Sequence, residues 1–313
     1  MTKKKKARET HQKITNLLKE LEHHLSETTD VPNLTVQEFK TMVEQPKTEE
    51  KLDSFESLKK ALLSNRWPEA VNPHLVCNPE SLDDKMERGR GIIEMFIEED
   101  LKELKFLDYG CGEGQCVSLT TDMSTKISVG YDNKESSLWS TYPKKDNVLF
   151  TTDFEKVKEN GPYDVILLFD VIDHIVGEDP SMLLVKLASI LSAKGKIYMR
   201  THPFTSRHAT HLYHSLNKAY IHLIFTPDEL KQLIPEPKYS EPNIGITTPL
   251  ATYDSYISKA GLKTLSKRDL TKKVEPFFQI PKIAERIMKN LNKNTFPEFQ
   301  MQMVFLDYVL VKQ

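Results

Sequence analysis

The chain has 313 residues, 39% of them hydrophobic and 28% charged, with a formal net charge of -2. That length holds one sizeable α/β domain plus an extension of roughly 100 residues, and so balanced a charge gives no global electrostatic case for a nucleic-acid partner. Cys77, Cys111 and Cys116 are too few and too unevenly spaced for a disulfide frame or a metal knuckle, and no apolar run approaches the length of a membrane span.

Residues 1–75 read as a helical accessory region with a basic start. Polar residues follow Lys3, Lys4, Lys5 and Lys6 where a signal peptide would carry an apolar core, so a cytoplasmic location is expected. Ile14, Leu17, Leu18, Leu21 and Leu25 recur at helical spacing. Such a helix packs on the main domain or on a partner, or its basic start, with Arg8, follows a polyanion. Two shorter helices are expected at 36–43 and 52–63.

The main domain is expected over 76–313, opening with a helix at 81–99 that Ser81 caps. The run FLDYGCGEGQ then describes a strand ending in Asp108 and turning through Gly110, Gly112 and Gly114 onto a helix. Asp132 ends the next apolar run, ISVGYDN, about 20 residues beyond the glycines, where an acid takes both hydroxyls of a ribose. The spacing is D-x-G-x-G-x-G, unlike the G-x-G-x-x-G of a dinucleotide pyrophosphate site. Asp108 would repel a diphosphate and attract an ammonium group.

At these residues the chain resembles the class I S-adenosylmethionine-dependent methyltransferases. The resemblance implies a doubly wound α/β fold, with a mostly parallel seven-stranded sheet, an antiparallel closing strand and, here, an N-terminal helical extension. Alternating elements agree with it. Strands are expected at 106–109, 127–131, 147–150, 164–169 and 195–200, then at 262–266 and 301–311. Helices are expected at 183–191 and at 253–260, the latter stopped by Gly261. The implied cofactor is S-adenosylmethionine, with Asp108 and the three glycines at its methionine end and Asp132 on its ribose. Asp153 would meet the adenine amino group, or else cap a helix, and Phe154 would flank the ring. Arg88 and Arg90 are candidates for the cofactor's carboxylate.

The fourth strand ends in FDVIDHI, which gathers Asp170, Asp173 and His174. The histidine packs against the cofactor end of the sheet or serves as a base, since imidazole accepts protons near neutral pH. Asp170, His174 and His202 are the catalytic candidates, and Asp170 also lies where cofactor contacts fall. With Asp in place of Glu, the segment also resembles the E-x-x-E-H of the small-RNA 3′-terminal 2′-O-methyltransferases. That likeness implies a Mg²⁺ or Mn²⁺ site of Asp170, Asp173, His174 and His222, the last preceding a helix that Thr226 caps and Pro227 opens.

Residues 202–248 form a histidine-rich insertion, where His202, His208, His211, His214 and His222 are five of the chain's ten histidines. Arg207, Tyr213, Lys218 and Tyr220 offer cations and stacking faces suited to a nucleotide or RNA acceptor. The bland reading is an amphipathic lid. Three functions follow: methyl transfer to a hydroxyl or amine on RNA or a nucleotide, O- or N-methylation of a small molecule, or a non-catalytic binding module on the same fold. The intact glycines and Asp132 argue against the third.

Overall fold

The structure, a computed structural model, describes residues 52–64, 66–71, 81–175, 179–209, 212–234 and 250–313. The helices expected at 14–25 and 36–43, the basic start, Cys77 and His211 lie outside the described residues.

Seven strands form one sheet: β1 (Lys105–Tyr109), β2 (Ile127–Tyr131), β3 (Val148–Thr151), β4 (Tyr163–Phe169), β5 (Leu191–Thr201), β6 (Leu262–Thr271) and β7 (Met303–Lys312). Their order is β3-β2-β1-β4-β5-β7-β6, with β7 antiparallel to both neighbours and the other pairs parallel. The apolar run in β4 explains its central place, because Val165, Ile166, Leu167 and Leu168 are each at most 1% exposed and need cover on both faces. One face receives the helices Leu82–Phe96 and Gln115–Asp122 through Ile92, Ile93, Phe96, Val117 and Leu119. Another cluster gathers Leu184 and Leu187 of Pro180–Ile190 with Tyr253 and Ile257 of Leu250–Lys259. The order reverses direction between β1 and β4, which opens the crevice at their carboxyl ends.

Strand boundaries depart from expectation where polar residues continue a ladder. β5 starts at Leu191, ahead of the expected 195, and its Ser192–Lys194 stretch is carried as an irregularity in the pairing with β4 between Tyr163 and Val165. A short helix, Glu298–Gln302, occupies the first residues of the expected last strand.

A second core stands apart from those on the sheet. Leu58, Leu62 and Trp67 pack there with Ile221, Leu223, Ile224 and Phe225 from the segment after β5, and with Phe278, Ile283, Ile287 and Met301 from the β6–β7 connection. β5 and β6 are both antiparallel to β7 and so run the same way. Both connections therefore leave from the carboxyl edge and form a helical cap at that edge. Residues 52–64 and 66–71, grouped by sequence with the N-terminal region, belong to this cap, and the compact unit runs from Lys51 to Gln313.

Trp67 holds the cap together. Its ring stacks on Phe225 at 5.7 Å and meets Phe277 at 5.1 Å, while Nε1 donates to Ala219 O at 2.9 Å. Trp67→Ala is expected to lower the unfolding free energy by about 3–5 kcal/mol. Urea denaturation reads this directly, and an unchanged midpoint would remove the cap from the cooperative unit. Among the described residues, no helix is long and apolar enough to cross a membrane.

Candidate functional site

The site begins where β1 and β2 end together. Gly110 N and Cys111 N both donate to Tyr131 O, at 2.7 and 3.0 Å, which turns the chain sharply after Tyr109. Gly110, Gly112 and Gly114 have φ of 81°, 52° and 89°. Gly114 is the N-cap of the helix Gln115–Asp122. A Cβ on Gly110 would stand 2.4 Å from Val171 Cγ2, whereas one on Gly112 would meet nothing within 4 Å.

Asp132 sits against this loop: its Oδ2 accepts from Gly112 N at 2.9 Å and its Oδ1 from Lys134 N at 3.2 Å. Trp139 completes the loop from outside, donating from Nε1 to Gly112 O at 2.9 Å and stacking on Phe150 at 5.4 Å. Sequence reasoning missed Trp139. Its signal was one of only two tryptophans in the chain, placed shortly after the acid that ends β2.

Asp108 is 5% exposed, and among the described residues no cation pairs with it. Burial, and then the neighbouring Asp132 charge, raise its pKa to about 7. A buried carboxylate without a counter-charge, beside a loop with open space at Gly112, fits the ammonium of an amino-acid ligand.

The third strand tip has a different arrangement. Asp153 caps the helix Phe154–Asn160, its Oδ1 accepting from Glu155 N at 2.9 Å. Phe154 packs among Tyr109 and Tyr131, with the Lys186 ammonium 3.5 Å from its ring centroid. Arg88 and Arg90 are exposed on the helix Leu82–Phe96, where Arg90 pairs with Glu87 at 3.6 Å. The charge of Arg88 reaches Tyr213 and His214.

Beyond β4, Asp170 takes φ of 54° and donates its N–H to Arg200 O at 3.1 Å. A 3₁₀ turn, Ile172–His174, follows. It sends Asp173 inward, 0% exposed, and leaves His174 on the exposed side. His202, just past β5 and 1% exposed, brings Nδ1 to 2.8 Å from Asp173 Oδ2 and 3.9 Å from Asp170 Oδ1. Its Nε2 donates to Ala209 O at 3.1 Å.

Burial opposes charge on His202, but Asp173 and Asp170 outweigh it and raise the pKa to about 10. Burial works to raise Asp173 too, and the His202 charge overrides it to hold that carboxyl low. Asp170 is raised, chiefly by burial. The two carboxylates thus favour a proton on His202 Nδ1, and the structure places this ring against Asp170 and Asp173. The expected metal set is corrected. Asp170 and Asp173 come together with His202, while His174 faces outward. His222 is tied separately to Phe204 O at 2.8 Å, and burial, with the His202 charge, lowers its pKa to about 4.

The insertion's cations turn inward, against their expected role on an acceptor. Arg207, 3% exposed, donates from Nε to Ala70 O at 2.7 Å and from Nη1 to Glu275 Oε1 at 2.8 Å. Lys218 Nζ donates to Ser64 O and Trp67 O at 3.3 and 3.4 Å. Tyr220 is 1% exposed and its hydroxyl donates to Met301 O at 2.8 Å. These groups fasten the cap's three chain segments to one another. Tyr213 is half-buried near His208, and the charges of both Arg88 and Asp170 reach it. Arg207→Ala is expected to cost about 3–5 kcal/mol of stability, as a broken buried ion pair does. An acceptor contact would instead leave the urea midpoint unchanged.

A family model described as a methyltransferase domain matches residues 81–236, a span that includes the glycine loop, Asp132 and the Asp170–Asp173–His202 cluster. No curated relative matches the chain. Similar solved structures include an S-adenosylmethionine-dependent methyltransferase from Archaeoglobus fulgidus, 16% identical, covering 74% of this chain and 95% of that one, with a TM-score of 0.43. Another, from Mesorhizobium loti, is 15% identical over 74% of this chain and 99% of that one, TM-score 0.43. Magnesium protoporphyrin IX methyltransferase from Synechocystis PCC 6803, with bound SAH, is 13% identical over 76% and 90%, TM-score 0.44.

Proposed function

The chain belongs, through residues 81–236, to the class I S-adenosylmethionine-dependent methyltransferases, and we propose that it methylates a hydroxyl or amine of a small molecule held between the strand tips and the helical cap. The observation that carries this reading is the cap itself. It sits at the carboxyl edge, and its Arg207 and Lys218 are committed to cap carbonyls and Glu275, which takes away the cations that an RNA acceptor would have used.

When bound, S-adenosylmethionine supplies a methyl group on a sulfonium, open to direct displacement by an oxygen or nitrogen nucleophile. The protein's own task is to align the two partners and keep water out. Asp108 offers the negative charge for the cofactor's ammonium, and the backbone at Gly110–Gly114 leaves room for its approach. Asp132 keeps a carboxylate at the β2 tip for the ribose hydroxyls. Val171 lies against Gly110, so Asp170 stands one residue from the glycine loop, 23% exposed on its side chain. That position suits it to hold the acceptor's O–H or N–H and to receive its proton as the methyl is transferred. Buried free thiols at Cys111 and Cys116 fit a reducing compartment such as the cytoplasm.

The test is methyl-labelled cofactor with a cell extract split into a small-molecule fraction and an RNA fraction. Label is expected in the small-molecule fraction. Label confined to RNA would overturn the acceptor class while leaving the methyltransferase assignment in place.

A further inference from the structure

β4 and β5 pair in parallel, with Phe169 opposite Arg200, so the residues just beyond their tips face one another. This puts Asp170 and Asp173 against His202. One ligand-capable atom from each lies within 4.8 Å of the others. Metal–ligand distances of about 2.1 Å place neighbouring ligands roughly 3 Å and opposite ones roughly 4.2 Å apart, so the carboxylates close in around one ion, with Asp173 and His202 already at 2.8 Å.

The orientation of the ring is a separate observation. Ala209 O can only accept, so His202 Nε2 carries a hydrogen and Nδ1 is the nitrogen turned toward the two carboxylates. A backbone carbonyl holding the far nitrogen is the usual way a metal-ligating imidazole is fixed in tautomer and direction.

The carboxylates supply a third observation. Asp173 is fully buried, and among the described residues its Oδ1 accepts no hydrogen bond. A buried carboxylate oxygen left this way is costly. A proton on Nδ1 serves Oδ2 and leaves Oδ1 unserved. A divalent cation in place of that proton would give the carboxylates a shared partner.

We propose that Asp170, Asp173 and His202 bind one divalent first-row transition-metal ion, with Mn²⁺ favoured over Mg²⁺ because imidazole is a ligand. Three protein ligands leave coordination positions open, and Asp170, the only partly exposed member, marks the open side. That this side faces the methyl acceptor rests on the function proposed above. The ion site itself does not.

Chelator-stripped full-length protein titrated with Co²⁺, without cofactor, tests the site through visible absorption. The expected result is one Co²⁺ per chain with d–d bands, displaced by Mn²⁺ only in excess because Mn²⁺ binds a given site more weakly than Co²⁺, and a raised melting temperature. Asp173→Asn and His202→Gln are each expected to weaken binding by about 100-fold or more, the upper end of what loss of even an outer partner costs. His174→Ala is expected to bind as the wild type does. Absence of stoichiometric Co²⁺ binding in the wild type would overturn the proposal even if the variants fail to fold. So would a folded His202→Gln protein with undiminished affinity. Calorimetry with S-adenosylmethionine on the same wild-type sample separates the two readings, because cofactor binding without a Co²⁺ site overturns the metal proposal alone.

Discussion

Gly110→Ala is expected to abolish cofactor binding and to cost about 2–5 kcal/mol of stability. Two effects combine. At φ of 81° an alanine is strained, and its Cβ would stand 2.4 Å from Val171 Cγ2, with further contacts at 3.2 and 3.4 Å along the same side chain. Valine is branched at Cβ and has no flexible end to swing away, so the backbone has to yield. The displacement passes to Asp170, the next residue back. Gly112→Ala provides the contrast. Its φ of 52° carries strain, yet the new methyl meets nothing within 4 Å. A stability loss of only about 1–2 kcal/mol is expected, with a comparable loss of cofactor binding, because the methyl enters the space left for the ligand. Thermal melting and calorimetry on the two variants separate packing from binding. Equal melting temperatures would mean that Val171 does not constrain the loop.

Asp108→Asn is expected to remove most of the pH dependence of cofactor binding. Burial and the Asp132 charge raise the Asp108 pKa from 3.8 to about 7. Below about 7 the carboxyl is largely protonated, and an ammonium ligand must displace that proton. Wild-type affinity should therefore climb by up to about tenfold per pH unit from pH 5.5 and level off near pH 7. An α-amino group stays protonated over this range. The groups whose charges couple to Asp108 are Asp132, Cys111 and Cys116, and both thiols are pushed up by burial and stay neutral there. Stability of the cofactor-free protein moves the other way. A raised carboxyl binds a proton that the unfolded chain has released, so its contribution is fully present below pH 3.8 and lost as pH rises through about 7. The asparagine variant should lack that decline in melting temperature and show weaker, pH-flat binding. A steep pH profile retained by Asp108→Asn would move the ammonium site elsewhere.

The glycine loop and the sheet that carries it were legible because their determinants are local. Gly110, Gly112 and Gly114 lie within one turn, and short apolar runs such as that in β4 announce buried parallel strands. The helical cap was not, because its contacts join residues far apart in the chain. Trp67, Phe225 and Phe278 share one core only after β5, β6 and β7 are assembled. Arg207 and Lys218 looked like surface cations, and nothing near them in sequence foretells the carbonyls of Glu69, Ala70, Ser64 and Trp67 that accept from them. The cluster after β4 shows the same limit. Asp173 and His174 are adjacent, but the turn points one inward and the other outward. The histidine that joins the carboxylates comes from just past the end of β5, the neighbour of β4 in the sheet.

Calorimetric titration of S-adenosylmethionine into the full chain, beside Asp132→Ala, tests the central claim most directly. One cofactor per chain is expected for the wild type, with affinity at least about tenfold lower in the variant, as loss of hydrogen bonds to a charged group entails. No heat of binding from folded wild-type protein, or undiminished binding by Asp132→Ala, would contradict the assignment of the glycine loop and the β2 acid as the cofactor site.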